Sequence, residues 1–188
     1  MDHNHVYPCH LLKQAVVYTQ LLILGIAAVL SLFLFNSFRE FTAIFSIDSS
    51  IVLIGVAIGA LCVTADLLLI RFLPEKAFND GGINQRLFSC LNPYEIFFIT
   101  LLIAFSEELL FRGVLQTQVG IIPASIIFIA VHFRYLKNVY LLINVTILSF
   151  LLGYVYEYTE SLWSVFVIHF IIDYILGIYI HYSNKEGV

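Results

Sequence analysis

Residues 51–73 read IVLIGVAIGALCVTADLLLIRFL, an apolar run broken only by Asp66 and, near its end, Arg71. A bilayer core about 30 Å thick is crossed by about 20 apolar residues wound as a helix, so this stretch reads as a transmembrane span. Working outward, five more stretches approach the same character: Gln14–Phe35, Ile96–Leu115, Val119–Phe133, Val139–Tyr156 and Leu162–Tyr182. Polar and turn-forming residues separate them at Asn36-Ser37, Asp48-Ser49-Ser50, Asp80-Gly81-Gly82, Asn92-Pro93 and Gly120 with Pro123. Val119–Phe133 is short for a full crossing. The expectation is an all-α polytopic bundle of about six transmembrane helices.

The composition agrees. The chain has 188 residues, of which 61% are hydrophobic and 12% charged, and its mean hydropathy is +0.95. Soluble domains carry about a quarter charged residues, so the lipid bilayer is the expected environment. The net charge of -4 and the lack of any basic cluster argue against a nucleic-acid partner. The first run, Ala15–Phe35, is too long for the apolar part of a cleaved signal and reads as an anchor that stays.

Basic residues set the expected orientation. Lys13, Arg71, Lys76, Arg86, Arg134, Lys137 and Lys185 fall on one side of the predicted topology, and only Arg39 lies in a loop on the other. This predicts a multi-pass protein of the cell membrane with both termini cytoplasmic. Trp163 and Tyr182, at the two ends of the last span, suit the interfacial aromatic belts. Gly55 and Gly59 form a G-x-x-x-G, read as a close helix contact. Cys9, Cys62 and Cys90 are odd in number and widely spaced, which predicts ordinary reduced thiols. His3, His5, Cys9 and His10 read as a frayed polar tail rather than a metal site.

The informative residues are those a membrane span should not contain. The third span holds Glu107, Glu108 and Arg112, the fourth ends near His132, and the sixth holds His169 and Asp173. Each charge at mid-bilayer costs about 2.5–3.5 kcal/mol on insertion scales, so these groups must pair or share an internal polar site. Glu108 and Arg112 are four apart and face one another on a helix. Glu107 is turned about 100° away and has no cation on its own helix. His169 and Asp173 also share a face, so the carboxylate is placed to fix the imidazole tautomer. An acid without a cation suits activation of water, one imidazole can pass the proton, and a second can donate to an oxyanion. No serine or cysteine stands in a nucleophile motif.

At these residues the chain resembles the CPBP family of intramembrane endopeptidases, the CaaX-protease and bacteriocin-processing (Abi) group. Its three motifs read here as Glu107-Glu108-Leu-Leu-Phe-Arg112, Phe128-Ile-Ala-Val-His132 and His169-Phe-Ile-Ile-Asp173. The resemblance covers Tyr94 to Tyr182 and implies a helical bundle with the site in a cavity open to membrane and cytoplasm. It implies Glu107 as general base with His132 as its partner, His169 with Asp173 on the oxyanion side, and Glu108, Arg112 and Phe128 in support. Asp173 stands where prenyl-protein enzymes have asparagine. An ionised carboxylate cannot donate, so His169 is expected to donate and Asp173 to orient it. Glu107, His132 and His169 are the residues that would hold zinc, but there is no H-E-x-x-H, and a metal-free site is favoured.

The implied division is 1–93 for a tail and two accessory helices, 94–182 for a four-helix catalytic core, and 183–188 for a terminal tail. The implied activity is hydrolysis of a peptide bond in a peptide or membrane-protein segment. Two other classes fit the same residues: a non-enzymatic immunity or scaffold protein of this fold, and a proton-coupled transporter, which would ordinarily show inverted repeats and broken helices.

Overall fold

The computed structural model describes residues 8–183, which are helical with no strand among them. The all-α expectation is met. Four helices are long and apolar enough to cross a membrane: α1 (Cys9–Leu34), α3 (Ser49–Phe72), α8 (Val139–Thr159) and α9 (Leu162–Ser183). Short helices α2 (Phe38–Ala43) and α4 (Ile83–Cys90) lie in the links.

The other two expected spans take different forms. The third is a helix of mixed winding: α5 (Pro93–Glu108) passes into a π-helical segment, Leu109–Gln116, and ends in the single turn α6 (Thr117–Val119). The fourth is α7 (Ile121–Val131), only 11 residues long, or about 16 Å at 1.5 Å per residue. It reaches about half-way across a bilayer, and the 3-10 segment Phe133–Lys137 continues from its end. The fourth stretch is short, as its sequence indicated, and four helices among the described residues have the length and apolarity of a full crossing.

Local sequence explains where helices begin. Asp48 caps α3 by accepting from the amides of Ser50 and Ile51. Asn92 and Glu95 form a reciprocal capping box on α5, with Pro93 in the first turn. Asn138 caps α8 through the Tyr140 amide. Each such cap contributes about 1 kcal/mol. Gly120, with φ of 83°, breaks the chain between α6 and α7 in a conformation other residues rarely adopt.

Helix α9 is the centre of the packing, with α3 along one side and α5 along another, while α1 lies outside α5. The glycine pair does what its spacing suggested. A Cβ at Gly55 would stand 2.8 Å from the Ser164 carbonyl oxygen, and one at Gly59 would stand 3.2 Å from Ile171 Cβ. Only hydrogen atoms at these two positions let α3 approach α9 so closely.

Hydrogen bonds gather the links at two ends of the bundle. At one end Asn138 donates to the carbonyls of Lys76 and Asn79, and His181 Nδ1 meets the Phe88 carbonyl. At the other end the Leu162 amide and the Trp163 indole donate to the carbonyls of Ile44 and Phe45. Lys13, Arg71, Lys76, Arg86, Arg134 and Lys137 lie toward the first end, and Arg39 toward the second; Lys185 is outside the described residues.

One expectation about cysteine is overturned. Cys9 and Cys90 form a disulfide that ties the start of α1 to the end of α4, and only Cys62 is a free thiol. The 81 residues between the partners hid the pairing, because sequence spacing carries no distance information across a folded bundle. The disulfide also removes Cys9 as a ligand for the N-terminal cluster, of which His3 and His5 lie outside the described residues.

Candidate active site

Glu107 and Glu108 sit at the junction where α5 gives way to π winding, a feature that recurs at functional sites in helices. Both are buried, as are Arg112 and His169. Adjacent on the helix, the two glutamates point to different partners, as their 100° offset predicted.

Glu108 is fully buried and holds two groups. Its Oε1 lies 3.3 Å from Arg112 Nη1 and 2.7 Å from His169 Nδ1. Arg112 also donates to the Ser149 carbonyl on α8 at 3.1 Å, and its guanidinium lies 4.2 Å over the Phe128 ring. The arginine is thereby a cross-brace linking the segment Leu109–Gln116, α7 and α8. Phe128 packs at the same time against Phe111 and the ring of His132. The structure supplies partners for Arg112 and for Oε1 of Glu108, as burial of charge requires, while Glu108 Oε2 is buried with no partner among the described residues.

Glu107 makes no ion pair with Arg112, which is taken by Glu108, but it is not free. Gln20, from α1, donates from Nε2 to Glu107 Oε1 at 3.2 Å. The other oxygen, Oε2, faces His132 Nε2 at 3.9 Å, beyond direct hydrogen bonding and close enough for both atoms to contact one water. His132 Nδ1 is engaged by the Phe128 carbonyl at 2.8 Å. Since a carbonyl only accepts, Nδ1 carries the hydrogen and the Nε2 lone pair of the neutral ring points toward Glu107.

The depth of these two groups explains the short fourth helix. A full-length α7 would carry His132 past Glu107 toward the bundle end. An 11-residue α7 stops with His132 as its C-terminal cap, level with the glutamate.

His169 departs from expectation in one respect. Its closer carboxylate is Glu108, on Nδ1, whereas Asp173 stands 3.5 Å from Nε2. Glu108 therefore fixes the ring, and the nitrogen near Asp173 is the one open to a ligand. Side-chain exposure runs from 0% at Glu108 and 6% at His169 to 22% at His132 and 29% at Asp173. The site is closed at the ion pair and accessible at its His132–Asp173 edge.

Tyr135 lies at that edge. Its ring is 5.5 Å from that of His132 and its hydroxyl accepts from Asn84. Burial, with the Asp173 charge acting the same way, pushes the phenol above the usual tyrosine range, so it stays a neutral hydroxyl. Sequence reasoning passed over Gln20 and Tyr135: one is the second of two glutamines in an anchor helix, the other one of 11 tyrosines.

The zinc arrangement does not fit these residues. His169 Nδ1 is taken by Glu108, and Nε2, 3.5 Å from Asp173, is the one nitrogen left for a ligand. Among the described residues no three histidine, cysteine or carboxylate groups converge as metal ligands.

A family model, the type II CAAX prenyl endopeptidase Rce1-like family, matches residues 90–175. The Bacillus subtilis (strain 168) protein YpbD, itself described as uncharacterized, is 45% identical over 167 residues, covering 88% of each chain. The chain belongs to the Rce1-like family of CAAX-type intramembrane peptidases. No solved structure matches it. The Rce1-like segment runs from the end of α4 into α9 and contains Glu107, Glu108, Arg112, Phe128, His132, His169 and Asp173. Gln20 is outside it.

Proposed function

We propose that this protein is an intramembrane endopeptidase that hydrolyses a peptide bond with water activated between Glu107 and His132. The observation that carries the proposal is the facing of Glu107 Oε2 and His132 Nε2 across 3.9 Å, from helices that sequence alone could not bring level. Both atoms are acceptors in the ionised acid and neutral ring, so together they take both hydrogens of one water. Its lone pair is left directed at a substrate carbonyl. Glu107 takes the proton as the bond to carbon forms, and His132 assists its transfer to the departing amine. Such proton transfer contributes about 10²–10⁴-fold to a rate.

His169 supplies the oxyanion side. With Nδ1–H donated to Glu108, donation to the oxyanion uses the imidazolium form of the ring, whose second proton sits on Nε2. Asp173 is near enough to attract that proton and, at 3.5 Å, too far to hold it firmly. Glu108 thus takes the orienting role that the sequence assigned to Asp173, while Arg112 neutralises and fixes Glu108.

The segments 1–93, 94–182 and 183–188 are proposed as accessory, catalytic and tail parts, with the site and both termini toward the cytoplasm, where the basic bundle end points. The substrate is a peptide or membrane-protein segment presented at that face. The test is substrate profiling by mass spectrometry on proteoliposomes containing wild-type or Glu107→Gln protein. New peptide termini that appear only with wild type are expected; identical product sets would overturn the proposal and favour a scaffold of the same fold.

A further inference from the structure

Helix α1 lies outside the family-matched segment, and its apolar side chains are largely turned outward. Only two of its described residues are buried, Ala27 and Gln20. A polar amide therefore occupies one of the two inward positions of a membrane helix. Neither of its ends is idle. Nε2 donates to Glu107 Oε1 at 3.2 Å, and Oε1 accepts from Ser106 Oγ at 2.5 Å. The partners fix which end is which: a carboxylate can only accept, so the NH₂ must face Glu107.

We infer that Gln20 is a positioning residue for the proposed reaction, holding Oε1 of Glu107 so that Oε2 alone faces His132. A glutamate side chain has three rotatable bonds, and here the arginine of its own helix pairs with Glu108 instead. Ser106, the neighbouring residue on α5, sets the amide, and the amide sets the carboxylate. Further along the same interface, Lys13 pairs with Glu95 at 2.6 Å and Cys9 is bonded to Cys90, so α1 is registered against α4 and α5 at more than one level. On this reading α1 is part of the catalytic apparatus and not only an anchor.

The inference rests on the peptidase reading, and its test separates the two. Activity in proteoliposomes is compared for wild type, Glu107→Gln, Gln20→Met, Ser106→Ala and the Gln20→Met/Ser106→Ala pair. Methionine keeps the length and loses the donor. The expected result for Gln20→Met is a kcat lower by about 10- to 100-fold with KM within about twofold, and an unchanged melting temperature. Ser106→Ala should lower kcat in wild type and have no further effect beside Gln20→Met, because both act through one amide. Gln20→Met at wild-type kcat, or losses that multiply in the pair as independent packing defects would, overturns the inference while Glu107→Gln still supports the peptidase. Wild type matching Glu107→Gln overturns both. Independently of turnover, a Gln20→Cys/Ser106→Cys pair in a Cys62→Ala background should be joined by a short thiol cross-linker in membranes. Failure to join would remove the contact itself.

Discussion

His169 Nδ1 lies 2.7 Å from Glu108 Oε1, and the same oxygen lies 3.3 Å from Arg112 Nη1. One carboxylate oxygen thus joins a cation on its own helix to an imidazole on α9. This bond separates the duties of two adjacent glutamates. Glu108 is engaged by the ring and the arginine, and Glu107 is left for the role proposed for it.

The first prediction concerns that division. Glu107→Gln should remove peptidase activity by about 10²–10⁴-fold with the fold kept, since an amide can still pair with Gln20. Thermal unfolding in detergent alongside the activity measurement checks both halves.

The second compares the two carboxylates on His169. Glu108→Gln should reduce kcat far more than Asp173→Asn, because the 2.7 Å partner orients the ring and the 3.5 Å partner does not. Asp173→Asn is expected within about tenfold of wild type, as no firm hydrogen bond is lost. A reversed order would return the orienting role to Asp173.

A third follows from the burial of Arg112. Arg112→Met alone leaves buried Glu108 with His169 as its remaining partner, and breaking a buried pair costs about 3–5 kcal/mol. Pairing it with Glu108→Leu should restore the melting temperature in large part, without restoring activity, because His169 has lost its partner.

Helix packing supplies a fourth. Gly55→Ala would place a methyl group 2.8 Å from the Ser164 carbonyl and should destabilise by about 1–3 kcal/mol. Gly25→Ala, with nothing within 4 Å, should be neutral or stabilising by about 0.5–1 kcal/mol. Melting curves of the two variants, measured together, make each the control for the other.

The Cys9–Cys90 bond gives a fifth. Alkylation of the unreduced, denatured protein should label one thiol, Cys62, and alkylation after reduction should label three. The bond lies at the basic end of the bundle, whose charge bias points to the cytoplasm, whereas disulfides persist mainly in oxidising compartments. Accessibility of Lys76 and Lys137 to a membrane-impermeant amine reagent in intact cells fixes which side that end faces: protection is expected, and labelling would reverse the orientation.

Much of this was written in the chain as periodic and compositional pattern. Apolar run length alone leads to a helical membrane bundle, because a helix must satisfy its own backbone wherever water is missing. The four-residue spacing of Glu108 and Arg112, the offset of Glu107 and the close-contact glycines were legible for the same reason: helix geometry converts sequence separation into direction. What no such pattern contains is the level at which separate helices meet. That α7 stops beside Glu107, that Glu108 reaches His169 before Asp173 does, that Gln20 of the first helix finds a glutamate 87 positions away, and that Cys9 meets Cys90 were all decided by packing. Those contacts are set by the relative shift and rotation of whole helices, and side chains on every neighbouring element determine these together.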